Sequence, residues 1–176
     1  MKNFEVTSKE DGRKYWISRS VAVVGIVVGV NENGNIKSFL VSQRGPGCPD
    51  YVGSWACTCG YLDWDESAED AVRRELFEEL GLNVSADEPV MWEVITDPTR
   101  DAKQNIIIRY LIGKPQEELE HFINDFNKDS FSRGGEKDEV SDVKLMSITE
   151  LNDYPWAFNH DKVILSVYED WEKLVK

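Results

Sequence analysis

The chain has 176 residues, 41% of them hydrophobic and 11% aromatic, and its formal net charge is −13 at pH 7. This length suits one globular domain with a sizeable core, and the negative charge argues against general binding to nucleic acids or membrane surfaces. No apolar run approaches the ~18 residues of a membrane span, and the N-terminal residues lack the apolar segment of a signal peptide, so we expect a cytoplasmic protein. The three cysteines, Cys48, Cys57 and Cys59, are odd in number and contain no C-x-x-C pair, which favours free, partly buried thiols over a disulfide scaffold or a zinc site.

The first third of the chain predicts β-structure. Residues Phe4–Thr7 and Lys14–Ser18 are expected to form an N-terminal hairpin within residues 1–18. Val21–Val30 is a continuous apolar run rich in β-branched residues, which is typical of a buried strand. The turn-forming run Asn31–Asn35 follows, and Ile36–Arg44 then alternates as the partner strand.

A helix is predicted between Ser67 and Gly81. Ser67 with Asp70 three residues later resembles a capping box, so the helix is expected to begin there. Gly81 is well placed as the residue that ends the helix in a left-handed conformation. A single helix with 3.6 residues per turn would carry an apolar face made by Ala68, Ala71 and Val72.

Three glutamates fall on or beside that apolar face. Glu75 and Glu79 share the face and Glu78 lies at its edge, although neighbouring like charges destabilise a helix and desolvating them costs more. Converging carboxylates suit a hard divalent cation such as Mg²⁺. The alternative is a salt-bridged surface helix, because Asp70–Arg74 and Arg74–Glu78 have favourable spacing for ion pairs.

The rest of the chain alternates strand and helix patterns. A mixed sheet packed between helices is the expected architecture. The predicted strands are Met91–Ile95, Asn105–Ile112 and Asp142–Ile148; the polar loops are Asp97–Gln104 and Ser130–Glu139; the helices are Gln116–Asn127, with an apolar stripe of Leu119, Phe122, Ile123 and Phe126, and Asp161–Leu174, with a stripe of Val163, Val167, Trp171 and Leu174.

The stretch Gly60–Leu82 carries a motif that favours a metal site at these glutamates over a salt-bridged surface helix. Its order is Gly60, five residues, Glu66, seven residues, Arg74-Glu75-Leu76, Phe77, Glu78-Glu79, Leu80, Gly81, Leu82. So many specified positions in one short segment seldom arise by chance. The chain therefore resembles the Nudix hydrolase superfamily. The resemblance implies an α/β/α sandwich with a mixed β-sheet between helices, and we expect residues 1–176 to form a single such domain.

The resemblance also implies roles for the residues of the box at 60–82. Glu75, Glu78 and Glu79 match the metal-binding glutamates, with Mg²⁺ as the expected metal and Mn²⁺ as the alternative. The carbonyl group of Cys59 or Gly60 would complete the coordination. In the same way, Glu66 would support the metal site and Arg74 would orient the glutamates. Glu75 would either deprotonate water or hold the metal that does so.

Two departures from the family pattern affect the geometry of the loop but remove no metal ligand. Many members carry a proline shortly before the box glycine, where this chain has Cys57-Thr58-Cys59. Many also have glycine before the first glutamate, where this chain has Asp65.

Outside the box, three residues are candidates for binding substrate. Arg44 ends the strand that leads to the site and is expected either to contact phosphate or to be a surface arginine. Glu139 lies where many members of the family place an additional acid, and Glu136 competes for the same role. Arg100, in the loop Asp97–Gln104, could meet a phosphate or ribose, or the loop could be a simple tight turn.

The aromatic and histidine residues carry weaker expectations. Tyr51, Trp55 and Trp156 could stack on a nucleobase, although core packing is the more common role for such residues. His160 could cap or orient the last helix.

The resemblance implies hydrolysis of the phosphoanhydride in a nucleoside diphosphate linked to another group. The run Asp97-Pro98-Thr99-Arg100-Asp101 is similar to one that Nudix enzymes acting on ADP-ribose often carry. This similarity slightly favours ADP-ribose or a nucleotide sugar over a (d)NTP, which would give NMP and pyrophosphate. A non-catalytic nucleotide-sensing domain is the other alternative, but such domains typically lose box glutamates that this chain keeps. A nucleotide-type small molecule is the expected partner, with no nucleic acid or membrane, and the family implies a homodimer.

Overall fold

The computed structural model describes residues 2–100, 103–126 and 138–174. Nine strands and three α-helices are found in this part of the chain, with one π-helical and one 3-10 turn. The strands are β1 (Phe4–Thr7), β2 (Lys14–Ile17), β3 (Val21–Val30), β4 (Ile36–Arg44), β5 (Trp55–Ala56), β6 (Thr58–Tyr61), β7 (Val90–Ile95), β8 (Ile106–Pro115) and β9 (Val140–Met146). The helices are α1 (Ala68–Glu75), continued by the π-helical turn Leu76–Leu80, then α2 (Gln116–Asp125), the 3-10 helix Ile148–Asp153 and α3 (His160–Leu174).

The central sheet is mixed. Strands β1 and β2 form a separate antiparallel hairpin, while the other seven join one sheet whose main order is β5-β4-β3-β8-β7. Only β3 and β8 run parallel among the described pairs, and they stay in register from Val21 with Ile106 to Val30 with Pro115. The continuous apolar sequence of β3 fits this central position, because a strand covered on both faces has no solvent-facing side.

The strands β3 and β4 diverge and form a fork. They pair with each other only near the turn that joins them, between Val27–Val30 and Ile36–Leu40. Beyond that point β3 pairs with β6, while β4 pairs with β5 on one edge and β9 on the other. The segment from Trp55 to Tyr61 therefore fills the fork and leads directly into the loop before α1.

Helices cover both faces of the sheet. On one face Ala71 and Val72 of α1 and Leu119 of α2 join a buried cluster with Val23 and Val27. On the other face Val163, Ile164 and Val167 of α3 pack in a second cluster with residues including Val24, Ile26, Val28 and Phe39. The predicted α/β/α sandwich is confirmed. None of the helices in the described ranges is long and apolar enough to cross a membrane.

The predicted elements match the structure best where the sequence pattern is long. The bounds of β3 and β4 are those expected, and α2 and α3 differ from prediction by a residue or two within the described part of the chain. The prediction of the last strand as Asp142–Ile148 is wrong by two residues at each end. Strand β9 is Val140–Met146, and Ile148 belongs to the following 3-10 helix. The short strands β5 and β6 were not predicted at all.

The helix of the motif departs from the expected geometry in its second half. Ser67 caps it as predicted, since its Oγ accepts from the backbone N–H of Asp70 at 3.1 Å. After Glu75 the backbone changes to the wider π-helical spacing, and Gly81, at φ 73°, ends it in the predicted left-handed conformation. Such single π-helical turns often occur at functional sites. A helical wheel with one constant angle is therefore only approximate for Glu78 and Glu79.

His160 connects α3 to the segment that fills the fork. The ring is 3% exposed, and its Nδ1 accepts from the backbone N–H of Cys57 at 3.0 Å. Because Nδ1 must keep a lone pair to accept, the proton of the neutral ring lies on Nε2. Burial, together with the positive charges of Arg109 and Arg44, lowers the pKa of His160 to about 3.

We predict that His160 destabilises the fold as the pH falls. In the unfolded chain the ring titrates near its ordinary pKa, about 6.5, so below that pH the unfolded state binds a proton that the folded state does not. Stability is thus lost between the two pKa values, by about 2 kcal/mol from pH 7 to pH 5. His160→Asn, whose Oδ1 can accept from Cys57 but cannot titrate, should lack this loss.

Urea denaturation of both proteins at pH 7 and pH 5 measures the effect. The stability difference between the wild type and His160→Asn should shift by the stated amount in favour of the variant at pH 5. The same replacement at His121, which is exposed on α2, is the control. A difference that stays constant over this range contradicts a buried neutral ring.

Candidate active site

Arg74 of α1 is the hub of the site. Its Nε and Nη2 bind both oxygens of Glu66 at 3.1 and 2.8 Å, and Nη2 also donates to the carbonyl of Tyr61 at 3.0 Å. Its Nη1 donates to Glu75 at 2.8 Å and to Glu78 at 3.0 Å. The hydrogen bond to Arg74 lowers the pKa of Glu66, and that same pairing raises the pKa of Arg74. One guanidinium group therefore joins the loop to two glutamates of the helix.

The expected salt-bridged helix is only partly present. Asp70 pairs with Arg73, at 3.0 Å, rather than with Arg74. The Arg74–Glu78 pair does form. The side chains of Glu66 and Glu75 are 16% and 14% exposed, so the cluster is not a solvated helix surface.

Gly60 allows the loop to approach α1 closely. A Cβ built at this position would collide with the carboxylate of Glu75. Glycine is required here by the short distance between the β6 backbone and the helix, since its φ is not in the left-handed region. The Glu75 carboxylate therefore lies against the backbone of the segment whose carbonyl groups are candidate ligands.

Three carboxylates interact electrostatically at the end of α1. Burial is the main cause that raises the pKa of Glu79 well above its ordinary value, followed by the charges of Glu75 and Glu139. A hydrogen bond with Thr58 and the charge of Arg44 act in the opposite direction. Burial likewise raises the pKa of Glu75, and Glu139 contributes again. Glu139 is thus close to the box glutamates, as the sequence suggested.

Backbone contacts with the end of β4 place Glu139. The N–H of Gly45 donates to the carbonyl of Glu139 at 2.6 Å, and the N–H of Gly47 donates to the carbonyl of Asp138 at 2.9 Å. A Cβ at Gly45 would collide with that Asp138 carbonyl. The competing candidate Glu136 lies outside the described residues.

The donor set fits a hard divalent cation. Glu75, Glu79 and Glu139 offer carboxylate oxygens that repel one another, and a cation among them would relieve the repulsion that raises the pKa of Glu75 and Glu79. Within the described ranges no three acidic, thiol or imidazole groups already converge as a metal cage. Arg74 holds one oxygen each of Glu75 and Glu78 instead.

Arg44 is not a solvated surface arginine. Its side chain is 14% exposed, and its Nη2 and Nε bind the Oδ1 and the carbonyl of Asp50 at 2.8 and 3.0 Å. Its guanidinium carbon lies 4.9 Å from the ring centroid of Phe158. Nη1 makes no hydrogen bond to any residue in the described part of the chain. This nitrogen can therefore donate to a ligand.

Arg100 lies in a tight turn, which is one of the two structures that the sequence suggested for this loop. Its N–H donates to the carbonyl of Asp97 at 3.2 Å, and the Asp97 carboxylate accepts from the N–H and hydroxyl of Thr99 at 2.9 and 2.8 Å. The Arg100 side chain is exposed. The next residue, Asp101, lies outside the described residues.

Arg19 fixes this loop and was not singled out from the sequence. Its guanidinium donates to the carbonyls of Thr96 at 2.7 Å and Asn105 at 2.9 Å, and also to that of Gln104. The two ends of the loop are therefore held by one side chain. Near the second end of the loop, Lys103 pairs with Asp50 at 3.0 Å, and Asp50 in turn binds Arg44.

The aromatic candidates divide into two groups. Trp55 is 5% exposed in the core beside α3, and Trp156 packs there with its Nε1 donating to the carbonyl of Leu151 at 2.8 Å. Tyr51 is instead 51% exposed. The three cysteines are free thiols, as predicted. Burial raises the pKa of the Cys57 thiol to about 12.

A family model and a curated relative match the chain. The NUDIX domain matches residues 19–167. The relative is an ADP-ribose pyrophosphatase of Methanocaldococcus jannaschii, 28% identical over 171 residues that cover 96% of this chain and 85% of that protein. Together these matches indicate that the chain is a pyrophosphohydrolase.

Solved structures share the fold. A MutT/nudix family protein from Enterococcus faecalis aligns with a TM-score of 0.65 and 18% identity over 90% of this chain, which spans 64% of the length of that protein. The NUDIX domain of Shewanella oneidensis NrtR, in complex with ADP ribose, aligns with a TM-score of 0.58 and 19% identity over 91% of this chain and 90% of that one. A domain match over most of the sequence, on a fold shared with these structures, shows that this chain belongs to the NUDIX family.

Proposed function

We propose that this protein hydrolyses the phosphoanhydride of a nucleoside diphosphate linked to another group, with ADP-ribose as the favoured substrate. The observation that carries the proposal is the placement of Arg44, whose Nη1 makes no hydrogen bond to a described residue and which lies beside a cluster of repelling carboxylates. An anionic diphosphate would bind the arginine, and a cation would bind the carboxylates. The ADP-ribose pyrophosphatase relative, similar over nearly the whole chain, supports the choice of substrate.

Glu75, Glu78 and Glu79 would hold Mg²⁺, or Mn²⁺ in its place, and Glu139 and the carbonyl of Cys59 or Gly60 are the further ligands that we propose. When bound, such an ion neutralises charge on phosphate oxygens and lowers the pKa of bound water. The protein supplies the geometry. Gly60 lets the backbone approach Glu75, and Thr58 favours the ionised form of Glu79.

Arg74 acts by positioning rather than by contact with substrate. Its donors bind Glu66, Glu75, Glu78 and the Tyr61 carbonyl. Arg74 therefore fixes the directions in which the glutamate carboxylates point. Arg44, and the loop linked to it through Asp50 and Lys103, would contact the phosphate and the ribose. In such reactions positioning and charge stabilisation supply most of the rate enhancement.

Glu79→Gln should lower turnover more than 100-fold, because it removes a metal ligand, while the fold becomes slightly more stable. The folded-state pKa of Glu79 is raised, so ionisation of this group opposes folding above its unfolded pKa; the amide removes that penalty at pH 7 and loses the advantage towards pH 4. Activity assays, calorimetric Mg²⁺ titration and melting temperatures measure these effects. Glu169→Gln, on the exposed side of α3, is the control. Near-normal activity of Glu79→Gln at low Mg²⁺ contradicts the metal assignment.

The two arginines should give different kinetic signatures. Arg74→Ala should lower kcat about 100-fold, since the glutamates lose their orienting partner. Arg44→Gln, which can still bond to the carbonyl of Asp50, should raise KM about tenfold with a smaller change in kcat, the pattern of lost ground-state binding. Steady-state kinetics on one substrate separates the two. If KM for Arg44→Gln stays within about twofold of the wild type, Arg44 does not bind phosphate.

The substrate assignment predicts the products. With Mg²⁺, ADP-ribose should yield AMP and ribose 5-phosphate, and Arg100→Ala should impair this reaction more than hydrolysis of a (d)NTP. A panel of ADP-ribose, nucleotide sugars, dinucleotides and (d)NTPs, with products separated by chromatography, checks both points. A (d)NTP cleaved to NMP and pyrophosphate with kcat/KM at least about tenfold above ADP-ribose overturns the assignment. No turnover of any member, with retained nucleotide binding, identifies a nucleotide-sensing domain instead.

A further inference from the structure

Two aromatic residues near Arg44 are held in a disfavoured backbone conformation. Tyr51, in the loop between β4 and β5, has φ 54°, and Phe158, just before α3, has φ 56°. Residues with a Cβ seldom adopt this left-handed region, and bulky ones least of all. Such strain persists where the surrounding structure imposes it, and it is concentrated at binding and active sites. The positions of these two rings are therefore maintained against a local cost.

The two rings contact each other but are not part of the core. Their centroids lie 4.9 Å apart at an interplanar angle of 64°, an edge-to-face arrangement. Tyr51 is 51% exposed, whereas Trp55 a few residues later is 5% exposed. Burial of apolar surface thus accounts for the position of Trp55 but not for that of Tyr51, about half of which is exposed. Packing alone does not explain why a tyrosine occupies a strained, exposed position.

The pair adjoins residues of the proposed substrate site. The Arg44 guanidinium lies 4.9 Å from the Phe158 ring, and Asp50, next to Tyr51, binds both Arg44 and Lys103. Lys103 belongs to the loop whose ends Arg19 holds. Phe158 thus contacts both Arg44 and Tyr51, and the residue before Tyr51 is linked to that loop through Lys103.

We propose that Tyr51, supported edge-on by Phe158, is the surface on which the nucleobase of the substrate stacks. Aromatic rings bind bases through their π-faces, and the contact strengthens affinity with little discrimination between bases. This inference rests on the proposed function, which supplies a nucleoside as part of the substrate. The inference adds the residues that contact the base. The base would lie on Tyr51, and the phosphates would lie between the base and the carboxylates.

Binding of AMP and of ribose 5-phosphate, without turnover, tests the platform. The wild type should bind AMP at least about tenfold more tightly than ribose 5-phosphate, and Tyr51→Leu should lose about that factor for AMP alone. Tyr51→Phe should retain it, because the stacking face is kept. Tyr168→Leu, which removes an exposed tyrosine of α3, should bind as the wild type does. Calorimetric titration gives all the constants, and Tyr51→Leu should raise KM for ADP-ribose by a similar factor.

Tyr51→Gly separates a binding role from a structural one. Glycine removes the ring and the strain together, so its melting temperature should stay within a few degrees of the wild type while AMP affinity falls. The inference is overturned if Tyr51→Leu binds AMP within twofold of the wild type, or if the wild type does not prefer AMP to ribose 5-phosphate. A wild type that fails to hydrolyse ADP-ribose but binds AMP in a Tyr51-dependent way contradicts only the proposed substrate, and supports the platform.

Discussion

The geometry of the acidic site depends on one guanidinium group. The chain has an excess of negative charge, and it nevertheless places Glu66, Glu75 and Glu78 around a single point. Arg74 makes this arrangement stable in the free protein, because each of its nitrogens bonds to a carboxylate or a carbonyl. Its side chain is 27% exposed, so solvent weakens these pairs relative to fully buried ones. Their main value is therefore directional: they fix where the carboxylates point.

Arg74 and Arg44 illustrate how hydrogen-bond saturation separates two residues of the same type. The donors of Arg74 are directed inward at protein oxygens. Arg44 instead binds Asp50 through Nε and Nη2, and its Nη1 has no hydrogen bond within the described ranges. The first arrangement suits a residue that positions others, and the second suits one that meets a ligand. Sequence spacing could suggest both roles, but only the bonding pattern distinguishes them.

The sequence predicts the strands and helices that depend on a local residue pattern. It does not predict the strands that form only by pairing with distant segments. The strands Val21–Val30 and Ile36–Arg44 follow from long apolar or alternating runs on either side of a turn, and the start of α1 follows from Ser67. The strands β5 and β6 are too short to show alternation, and they exist because their backbones find partners in the fork.

The same distinction applies to the candidate site. The Nudix box identified the glutamates and Arg74, since the motif lies within one short segment. Arg19 has nothing unusual in its local sequence, because its partners are backbone carbonyls more than 70 residues away. Phe158 likewise became a candidate only when the fold placed it beside Arg44 and Tyr51. Contacts of this kind are set by topology.

The fork between β3 and β4 makes the segment Trp55–Tyr61 a spacer of fixed length. Ala56 is in register with Ser42 on one side, and Thr58 is in register with Gly25 on the other, with Cys57 alone between them. Inserting or deleting one residue would shift one of the two strands and turn its side chains to the opposite face. Proline at position 57 would remove the N–H that His160 accepts. Evolution of this enzyme can thus vary the side chains of the spacer more freely than its length, and new specificities are expected to arise from the outer loops.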